Sequence, residues 1–185
     1  MLKIEGLSFS FDDEKIINDF SADFKAGERV CIKGESGRGK TTLLRLICGL
    51  EKPQKGLITL TLNEKIGVVF QSDVLLPWYT ALENVKLVSD EESANKWLKD
   101  FSLESSINKY PSELSGGMCR RVALARAMAY DPDILILDEA FKGLDNALKE
   151  KIMAIIAEAC SKKICVFTSH DETEIEKFAT RTIEL

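Results

Sequence analysis

The stretch Gly34-Glu35-Ser36-Gly37-Arg38-Gly39-Lys40-Thr41-Thr42 matches the pattern G-x-x-x-x-G-K-[ST]. It follows the apolar run Val30-Cys31-Ile32 and precedes the helix-like run Leu43-Leu44-Arg45-Leu46-Ile47. In this strand–loop–helix context, glycines let backbone N–H groups point inward around a phosphate, and the N-terminal end of the helix adds positive potential. The sequence therefore predicts that residues 34–42 bind the phosphates of a nucleotide, with Lys40 on the β- and γ-phosphates and the Thr41 hydroxyl on Mg²⁺.

Size and composition are those of an ordinary globular domain. The chain has 185 residues, of which 45% are hydrophobic and 30% charged, so we expect one domain spanning 1–185. The formal net charge is −5, and the acidic and basic residues are spread along the chain rather than collected in a basic stripe. This balance argues against nucleic acid as the main partner.

Cysteine usage and the apolar runs bear on the cellular compartment. The five cysteines form no C-x-x-C pair and lie mostly within apolar runs, which favours buried, reduced thiols in a cytosolic protein over a disulfide or metal site. Residues 1–6 carry charges where a secretory signal is apolar. Because no apolar run approaches the roughly 20 residues of a membrane span, we expect a soluble chain.

Apolar patterning predicts that strands alternate with helices, which is typical of an α/β fold. Strands are expected at 2–11, 16–24, 30–32, 57–62, 66–70, 134–137, 164–168 and 181–185, and helices at 41–48, 118–130, 146–160 and 171–179. The predicted fold class is a phosphate-loop NTPase core with a mostly parallel central sheet, N-terminal antiparallel strands and a small inserted helical subdomain.

The helical subdomain is placed at 72–110, between two parts of the nucleotide-binding core at 1–71 and 111–185. Its own helical patterning covers 81–88 and 93–101. In the helix 118–130 that follows, Val122, Ala125 and Ala129 share one face, and this pattern predicts that Arg120 and Arg121 can point outward.

Polar groups follow three of the predicted buried strands. Gln71 ends one strand, Asp138 and Glu139 end the next, and His170 ends a third. Because ligands in open α/β sheets bind at the carboxyl ends of the strands, we expect these side chains to converge on one crevice. Asp138 and Gln71 are candidate Mg²⁺ ligands together with Thr41, and Glu139 is the candidate base for the attacking water. His170 is the candidate contact to the γ-phosphate, and Gln71 can also contact the water.

In their order along the chain, these motifs resemble those of the ATP-binding subunits of ATP-binding cassette (ABC) transporters. The family signature Leu-Ser-Gly-Gly-Gln appears as Leu114-Ser115-Gly116-Gly117-Met118, and Gly143-Leu144-Asp145 follows the Asp-Glu pair. The resemblance covers essentially the whole chain and implies the ABC ATPase fold, ATP and Mg²⁺ as ligands, and ATP hydrolysis. Met118 departs from the signature glutamine, but Glu139 is present, so hydrolysis is expected.

The resemblance also implies that two copies complete each site. Ser115, Gly116 and Gly117, at a helix N-terminus, would bind the γ-phosphate of the ATP held by the opposite subunit, a use of free N–H groups and helix dipole that is physically sound. The partner would be a second copy or a homologous ATPase subunit in a head-to-tail dimer, with Asp145 at the seam. Phe11 falls where the family stacks an aromatic ring on adenine, and we expect Phe9 to face the core instead.

The segment 72–85 resembles that of importer ATPases for nitrate, sulfonate or taurine. In this family the segment receives a coupling helix of the membrane subunit, which implies transmembrane permease subunits, a solute-binding protein and a location on the cytoplasmic face of the membrane. An exposed Trp78 beside Pro77 would suit such a docking groove. The alternative is that Trp78 packs within the helical subdomain.

Three classes of function follow from these motifs. The first is an ATPase subunit that drives solute transport, most simply import. The second is a soluble ABC-type ATPase that acts away from membranes; such relatives usually carry tandem cassettes, coiled-coil insertions or basic faces, which this sequence lacks. The third is a non-hydrolysing binding module, which is disfavoured because every hydrolytic position is occupied.

Overall fold

The computed structural model of the chain describes residues 1–12, 14–61 and 64–185. The strands in these ranges are β1 (Leu2–Phe11), β2 (Glu14–Phe24), β3 (Arg29–Lys33), β4 (Lys55–Leu60), β5 (Ile66–Val69), β6 (Ile134–Asp138), β7 (Ile164–Thr168) and β8 (Arg181–Glu184). The helices are α1 (Lys40–Ile47), α2 (Ala81–Lys86), α3 (Glu91–Asp100), α4 (Gly116–Ala129), α5 (Asn146–Ala159) and α6 (Glu172–Phe178). Each predicted element is found with its ends shifted by a few residues; Leu62, expected to end β4, and Asn63 lie outside the described residues.

The centre of the fold is a parallel sheet with the strand order β5-β6-β7-β3-β8. Every residue of β6 and of β7 is buried, which explains why both strands are continuous apolar runs in the sequence. Alternate residues enter different cores: Ile134 and Ile136 pack on the side of α1, whereas Leu135 and Leu137 pack on the side of α4, α5 and α6. The sheet is thus covered on both faces, and its carboxyl edge is left for a site.

A second sheet, with the order β2-β1-β4, is antiparallel and covers the α1 face of the core. Leu2 and Ile4 of β1 are buried there at alternating positions, and after an irregularity in the strand register the alternation resumes with Leu7 and Phe9. The fold class is therefore as predicted, with a parallel central sheet and N-terminal antiparallel strands.

The helical segment between β5 and α4 contains α2 and α3, which pack against α4. Thr80 and Glu83 form a capping box that starts α2. Asn84 is fully buried, and its amide bonds the main chain of Leu76, Tyr79 and Thr80, so one side chain holds the preceding loop onto the helix. The residue boundaries 72–110 given above for the subdomain stay a prediction.

The prediction for Arg120 is wrong, because its side chain points inward and the residue is only 8% exposed. Its guanidinium bonds main-chain carbonyls that follow β5, which a helical-wheel argument from α4 alone does not reveal. Arg121 is half buried and donates to the carbonyls of Phe101 and Ser102 at 2.9 and 2.7 Å.

None of the helices within the described ranges combines the length and the apolar character that crossing a membrane requires. The five cysteines are free, and Cys31, Cys160 and Cys165 are buried in the core on the side of α4, α5 and α6. Burial raises the pKa of the Cys31 thiol to about 11, so this group is an uncharged packing side chain at neutral pH.

Candidate nucleotide-binding site

The glycine-rich loop joins β3 to α1 by a tight path. Gly39, directly before α1, has a φ of +93°, and a Cβ at this position would lie 2.5 Å from Cγ2 of Ile16 in β2. Lys40 is 8% exposed, and its Nζ donates to the carbonyl oxygens of Gly34 at 2.7 Å and Glu35 at 2.9 Å. The first residue of α1 therefore fixes the opening of the loop, and the glycine allows β2 to pack against it.

A cavity of about 260 Å³ lies at the carboxyl edge of the central sheet, in front of this loop. Besides Ile16, its lining contains most of the residues that the sequence singled out: Ser36, Gly37, Gly39, Lys40, Thr41, Thr42, Gln71, Asp138, Glu139 and His170. The expected convergence of strand-end side chains on one crevice is what the structure shows.

Asp138, the last residue of β6, is 2% exposed, and both of its carboxylate oxygens accept a hydrogen bond. Thr41 Oγ1 donates to Oδ2 at 2.7 Å, and Thr168 Oγ1 at the end of β7 donates to Oδ1 at 2.6 Å. Thr168 Oγ1 also accepts from the backbone N–H of Glu139 at 3.0 Å. This carboxylate is therefore held in one orientation, directed at the start of α1.

Glu139 adopts a φ of +47°, a backbone conformation that is costly for a residue with a side chain and is frequent at functional positions. Three side chains approach its carboxylate: Gln71 Nε2 at 3.4 Å, His170 Nε2 at 3.5 Å and Lys142 Nζ at 3.0 Å. Since Gln71 follows β5 and His170 follows β7, the glutamate is the meeting point of groups from three neighbouring strands.

Thr41, Asp138 and Gln71 fit a magnesium ion in the chemistry of their donors. Mg²⁺ prefers oxygen ligands and usually binds one or two carboxylates together with phosphate oxygens and water. The 2.7 Å contact between Thr41 and Asp138 already brings a hydroxyl and a carboxylate oxygen to one point of the cavity wall.

Three groups of predicted residues do not line this cavity: the loop residues Gly34, Glu35 and Arg38, the aromatic residue Phe11, and the signature residues Ser115, Gly116 and Gly117. Phe11 is 47% exposed at the end of β1, with its ring edge-to-face against buried Phe9 at a centroid distance of 4.9 Å. Phe9 thus faces the core as expected, and the adenine-stacking role of Phe11 stays a prediction. Ser115, Gly116 and Gly117 lie at the N-terminal end of α4, where Ser115 Oγ accepts from the N–H of Met118 at 3.3 Å.

Sequence reasoning missed Thr168, Ile16 and the contact of Lys142. Thr168 ends a buried strand, so the strand-end rule that found Gln71 and His170 could have found it too. Lys142 stands three residues after Glu139 in a turn, where its backbone N–H donates to the Glu139 carbonyl at 3.2 Å, and its ammonium reaches the glutamate carboxylate across this turn. Ile16 carries no chemical signal, because its role is steric.

Comparison with known families agrees with this geometry. The family model for ABC transporters matches residues 17–142. The chain therefore belongs to the ABC transporter family, and the predicted fold class and the prediction of an ABC-type ATPase are confirmed.

Curated relatives in this family match the chain along its whole length. The ergothioneine transport ATP-binding protein EgtV of Helicobacter pylori is 34% identical over 206 aligned residues, which cover all of this chain and 97% of the relative. The aliphatic sulfonates import ATP-binding protein SsuB 1 of Rhodococcus jostii is 37% identical, over all of this chain and 78% of the relative.

Among solved structures, the ATP-binding cassette MJ0796, in a dimeric post-hydrolysis state bound to ADP and Pi, superposes with a TM-score of 0.88. It is 33% identical, and the match covers all of this chain and 94% of MJ0796.

Proposed function

We propose that this chain binds ATP with Mg²⁺, hydrolyses the ATP in a head-to-tail dimer, and couples that cycle to solute import through separate membrane subunits. The observation that carries the proposal is the single cavity in which the phosphate-type loop, Asp138, Glu139, Gln71 and His170 meet. Each of these groups has a distinct part in phosphoryl transfer.

The loop and Lys40 provide phosphate binding. Backbone N–H groups of 36–42 and the N-terminal end of α1 favour anions at this point. Lys40 is held now by two carbonyl oxygens of the loop, and negatively charged phosphates offer its ammonium stronger partners than neutral carbonyls do. Nucleotide binding should therefore draw Lys40 from the loop carbonyls toward the phosphates.

Asp138, Thr41 and Gln71 would hold Mg²⁺. When bound, the ion neutralises charge on the phosphate oxygens during transfer. The part played by the protein is orientation, since Thr168 keeps one carboxylate oxygen of Asp138 occupied and leaves the other beside Thr41. The positions of Asp138 Oδ2 and Thr41 Oγ1 are thus fixed before any ligand binds.

Glu139 is placed to accept a proton from water. Its carboxylate is the base, and Gln71 and His170 lie 3.4 and 3.5 Å from its two oxygens, where they can orient the water and the terminal phosphate. The positive φ of Glu139 turns its side chain out of the strand and into the cavity.

The second copy is needed because the signature residues Ser115, Gly116 and Gly117 lie outside the cavity of their own chain. The free N–H groups at the start of α4 suit a phosphate, and the partner's loop would supply it. The dimeric state of the MJ0796 cassette bound to ADP and Pi supports this arrangement.

Coupling to membrane subunits is supported by the names of the relatives and by an exposed apolar surface. EgtV and SsuB are transport or import ATP-binding proteins. On this chain Trp78 is 66% exposed and Val74 63% exposed, so Trp78 is not a core residue of the helical segment. We propose that this surface docks permease subunits on the cytoplasmic side of the membrane, with a solute-binding protein as a further component.

Hydrolysis is tested with the purified chain, Mg²⁺ and ATP at high protein concentration. Glu139→Gln should abolish phosphate release, whereas Glu158→Gln, an exposed glutamate of α5, should keep the wild-type rate. A wild-type chain without turnover, or a Glu139→Gln variant with full turnover, would contradict the enzymatic proposal.

Membrane coupling is tested by purifying a tagged copy from solubilised membranes of its own cell. Co-purification with an integral membrane permease supports transport. Recovery with cytosolic partners alone would favour a soluble ABC-type ATPase instead.

A further inference from the structure

Arg120 is a buried arginine that none of the functions above employs. It lies in α4, and its guanidinium reaches the main chain directly after β5: Nη1 donates to the Phe70 carbonyl at 2.8 Å, and Nη2 donates to the Gln71 carbonyl. Its Nε lies 2.9 Å from Oδ1 of Asp73. All three branches of one guanidinium are therefore directed at residues 70–73.

Both sides of this contact, the guanidinium of Arg120 and the main-chain carbonyls, need a hydrogen-bond partner. A buried guanidinium keeps its charge and must have partners for its donors, because an unpaired buried charge costs several kcal/mol. The carbonyls of Phe70 and Gln71 lie beyond the end of β5 at Val69, where the strand ladder no longer supplies partners. The Arg120 side chain thus supplies the hydrogen bonds that the sheet does not provide to these two carbonyls.

Asp73 supplies the opposite charge. Its Oδ1 makes a close charge contact with Arg120 but has no aligned hydrogen-bond donor among the described residues. Desolvation raises the pKa of this carboxyl, and the charge of Arg120 acts in the opposite direction. The ion pair therefore balances charge, while the two carbonyl bonds determine the position of the main chain.

A second arginine of α4 holds the other end of the same segment. Arg126 Nη2 donates to the carbonyl of Val74 at 2.9 Å, and Val74 has a φ of +37°. Residues 70–74 are thus fastened to α4 at both ends, in a backbone conformation that needs external support.

This attachment links two functional groups of one chain. Arg120 lies five residues after Ser115, about 7.5 Å along the helix axis. The N-terminal end of α4 serves the ATP site of the opposite subunit in the proposed dimer, whereas Gln71 reaches Glu139 in the cavity of its own chain. A shift of α4 on contact with the partner must therefore move the Gln71 carbonyl.

We infer that Arg120 is a positioning residue that attaches Gln71 to α4, the helix that begins with the signature residues. When the ATP site of the opposite subunit closes on the N-terminal end of α4, this attachment positions Gln71 in the ATP site of its own chain. The inference rests on the proposed function, since both sites belong to the ATPase dimer. The planar fork is essential, because Nη1, Nη2 and Nε reach three separate acceptors. A lysine ammonium also has three donors, but they lie on one nitrogen and cannot reproduce this spread, planar arrangement.

The attachment itself is tested without ATP by amide hydrogen exchange. In Arg120→Gln the amides of 70–74 should exchange at least about tenfold faster than in the wild type. Arg29→Gln is the matched control, because Arg29 also donates to a main-chain carbonyl, that of Phe178, at the opposite edge of the sheet. Unchanged exchange at 70–74 in Arg120→Gln would overturn the inference even if the chain proved to have no ATPase activity.

The coupling is tested by a double-mutant cycle with Gln71→Ala. Arg120→Gln should lower kcat about tenfold or more with KM within about twofold, because loss of positioning acts on turnover and not on the phosphate loop. In the Gln71→Ala chain the same substitution should lower kcat less than about twofold further. Equal losses in the two backgrounds, or full activity in Arg120→Lys, would overturn the inference, and a wild-type chain without turnover would instead defeat the proposed function.

Discussion

At the scale of single residues, the decisive feature is that the carboxylate of Asp138 is oriented by hydroxyls rather than by charges. Asp138 is almost fully buried and accepts from two threonines, and one of them also accepts from the backbone of Glu139. A carboxylate held in this way needs no rearrangement when a cation binds, as expected of a preorganised site. Thr168 is therefore the residue on which the geometry of both acids depends.

We predict that Thr168→Val lowers turnover and stability together. Valine has nearly the same shape but leaves Asp138 Oδ1 and the N–H of Glu139 without their partner, which should cost about 1–3 kcal/mol of unfolding free energy. Turnover should fall about tenfold or more, as the two acids lose their alignment. Urea unfolding and ATPase assays check this, with Thr182→Val at an exposed position of β8 as the control. A variant as active and stable as the control would contradict the role given to Thr168.

Residue types at strand ends were enough to predict that Gln71, Asp138, Glu139 and His170 share a site. They do not predict that the Arg120 side chain is buried, because helical period alone lets it point into solvent. Its burial depends on unpaired carbonyls of a loop far away in sequence, and no periodicity of α4 carries that information. Thr168 was missed because a threonine at the end of an apolar strand is also an ordinary strand residue.

At the scale of elements, the conformation of the loop between β3 and α1 depends on the packing of a neighbouring strand as well as on its own sequence. Gly37 and Gly39 both have positive φ, and a Cβ added at Gly39 would collide with Ile16 of β2. A Cβ added at Gly37 would have no such contact with the described part of the chain. The nucleotide loop therefore depends on the antiparallel sheet as well as on its own glycines.

We predict that Gly37→Ala and Gly39→Ala differ in stability. Alanine at position 37 meets only the backbone penalty of its φ of +83°, about 1 kcal/mol. Among the described residues, apart from its two chain neighbours, none has an atom within 4 Å of the added Cβ. At position 39 the clash with Ile16 adds to that penalty, for a total of about 3 kcal/mol. Urea midpoints measure the difference, and equal losses would show that β2 does not constrain the loop.

The start of α2 gives an element-scale prediction in pH. The Thr80 backbone N–H and hydroxyl donate to the Glu83 carboxylate, and these bonds lower its pKa. A carboxyl with a lowered pKa in the folded state adds stability above its unfolded pKa of about 4.3 and loses it as the pH falls through the folded pKa. The stability advantage of the wild type over Glu83→Gln should thus be present at pH 7 and disappear toward pH 3.

Urea unfolding from pH 7 to pH 3 measures this difference. In a Thr80→Ala background the difference should be smaller, because the hydroxyl donor is lost while the backbone donor remains. If the wild type were more stable than Glu83→Gln by the same amount at pH 3 as at pH 7, the hydrogen bonds to the ionised Glu83 carboxylate could not be the cause of the difference.

Elements were the most predictable level of the structure. Fully buried strands such as β6 and β7 are continuous apolar runs, and helices are marked by caps and period, so burial and pattern agree. Ends were less predictable, because α4 begins at Gly116, before its first strong helix former, with Ser115 as the cap.

At the scale of the whole molecule, we propose that one chain has two half-sites, each of which contacts a different ATP molecule. The cavity at the carboxyl edge contains the loop, Asp138 and Glu139, whereas the signature residues at the start of α4 lie apart from it. Neither half is sufficient in our proposal, so ATP should act as the link between two copies. The family resemblance implied this arrangement, and the separation of the two half-sites within the chain supports it.

The most direct test of this central claim is the mass of Glu139→Gln in solution, measured by light scattering during size exclusion with and without Mg²⁺ and ATP. We predict a monomer of 20.7 kDa without nucleotide and a species of about twice that mass with ATP. Adding Gly116→Val should remove the dimer while ATP still binds, because the substitution obstructs the signature. A Cβ at this position has no contact within 4 Å in the described part of its own chain beyond its own helix backbone and chain neighbours. A Glu139→Gln chain that binds ATP and remains at the mass of the monomer would contradict the two-copy site.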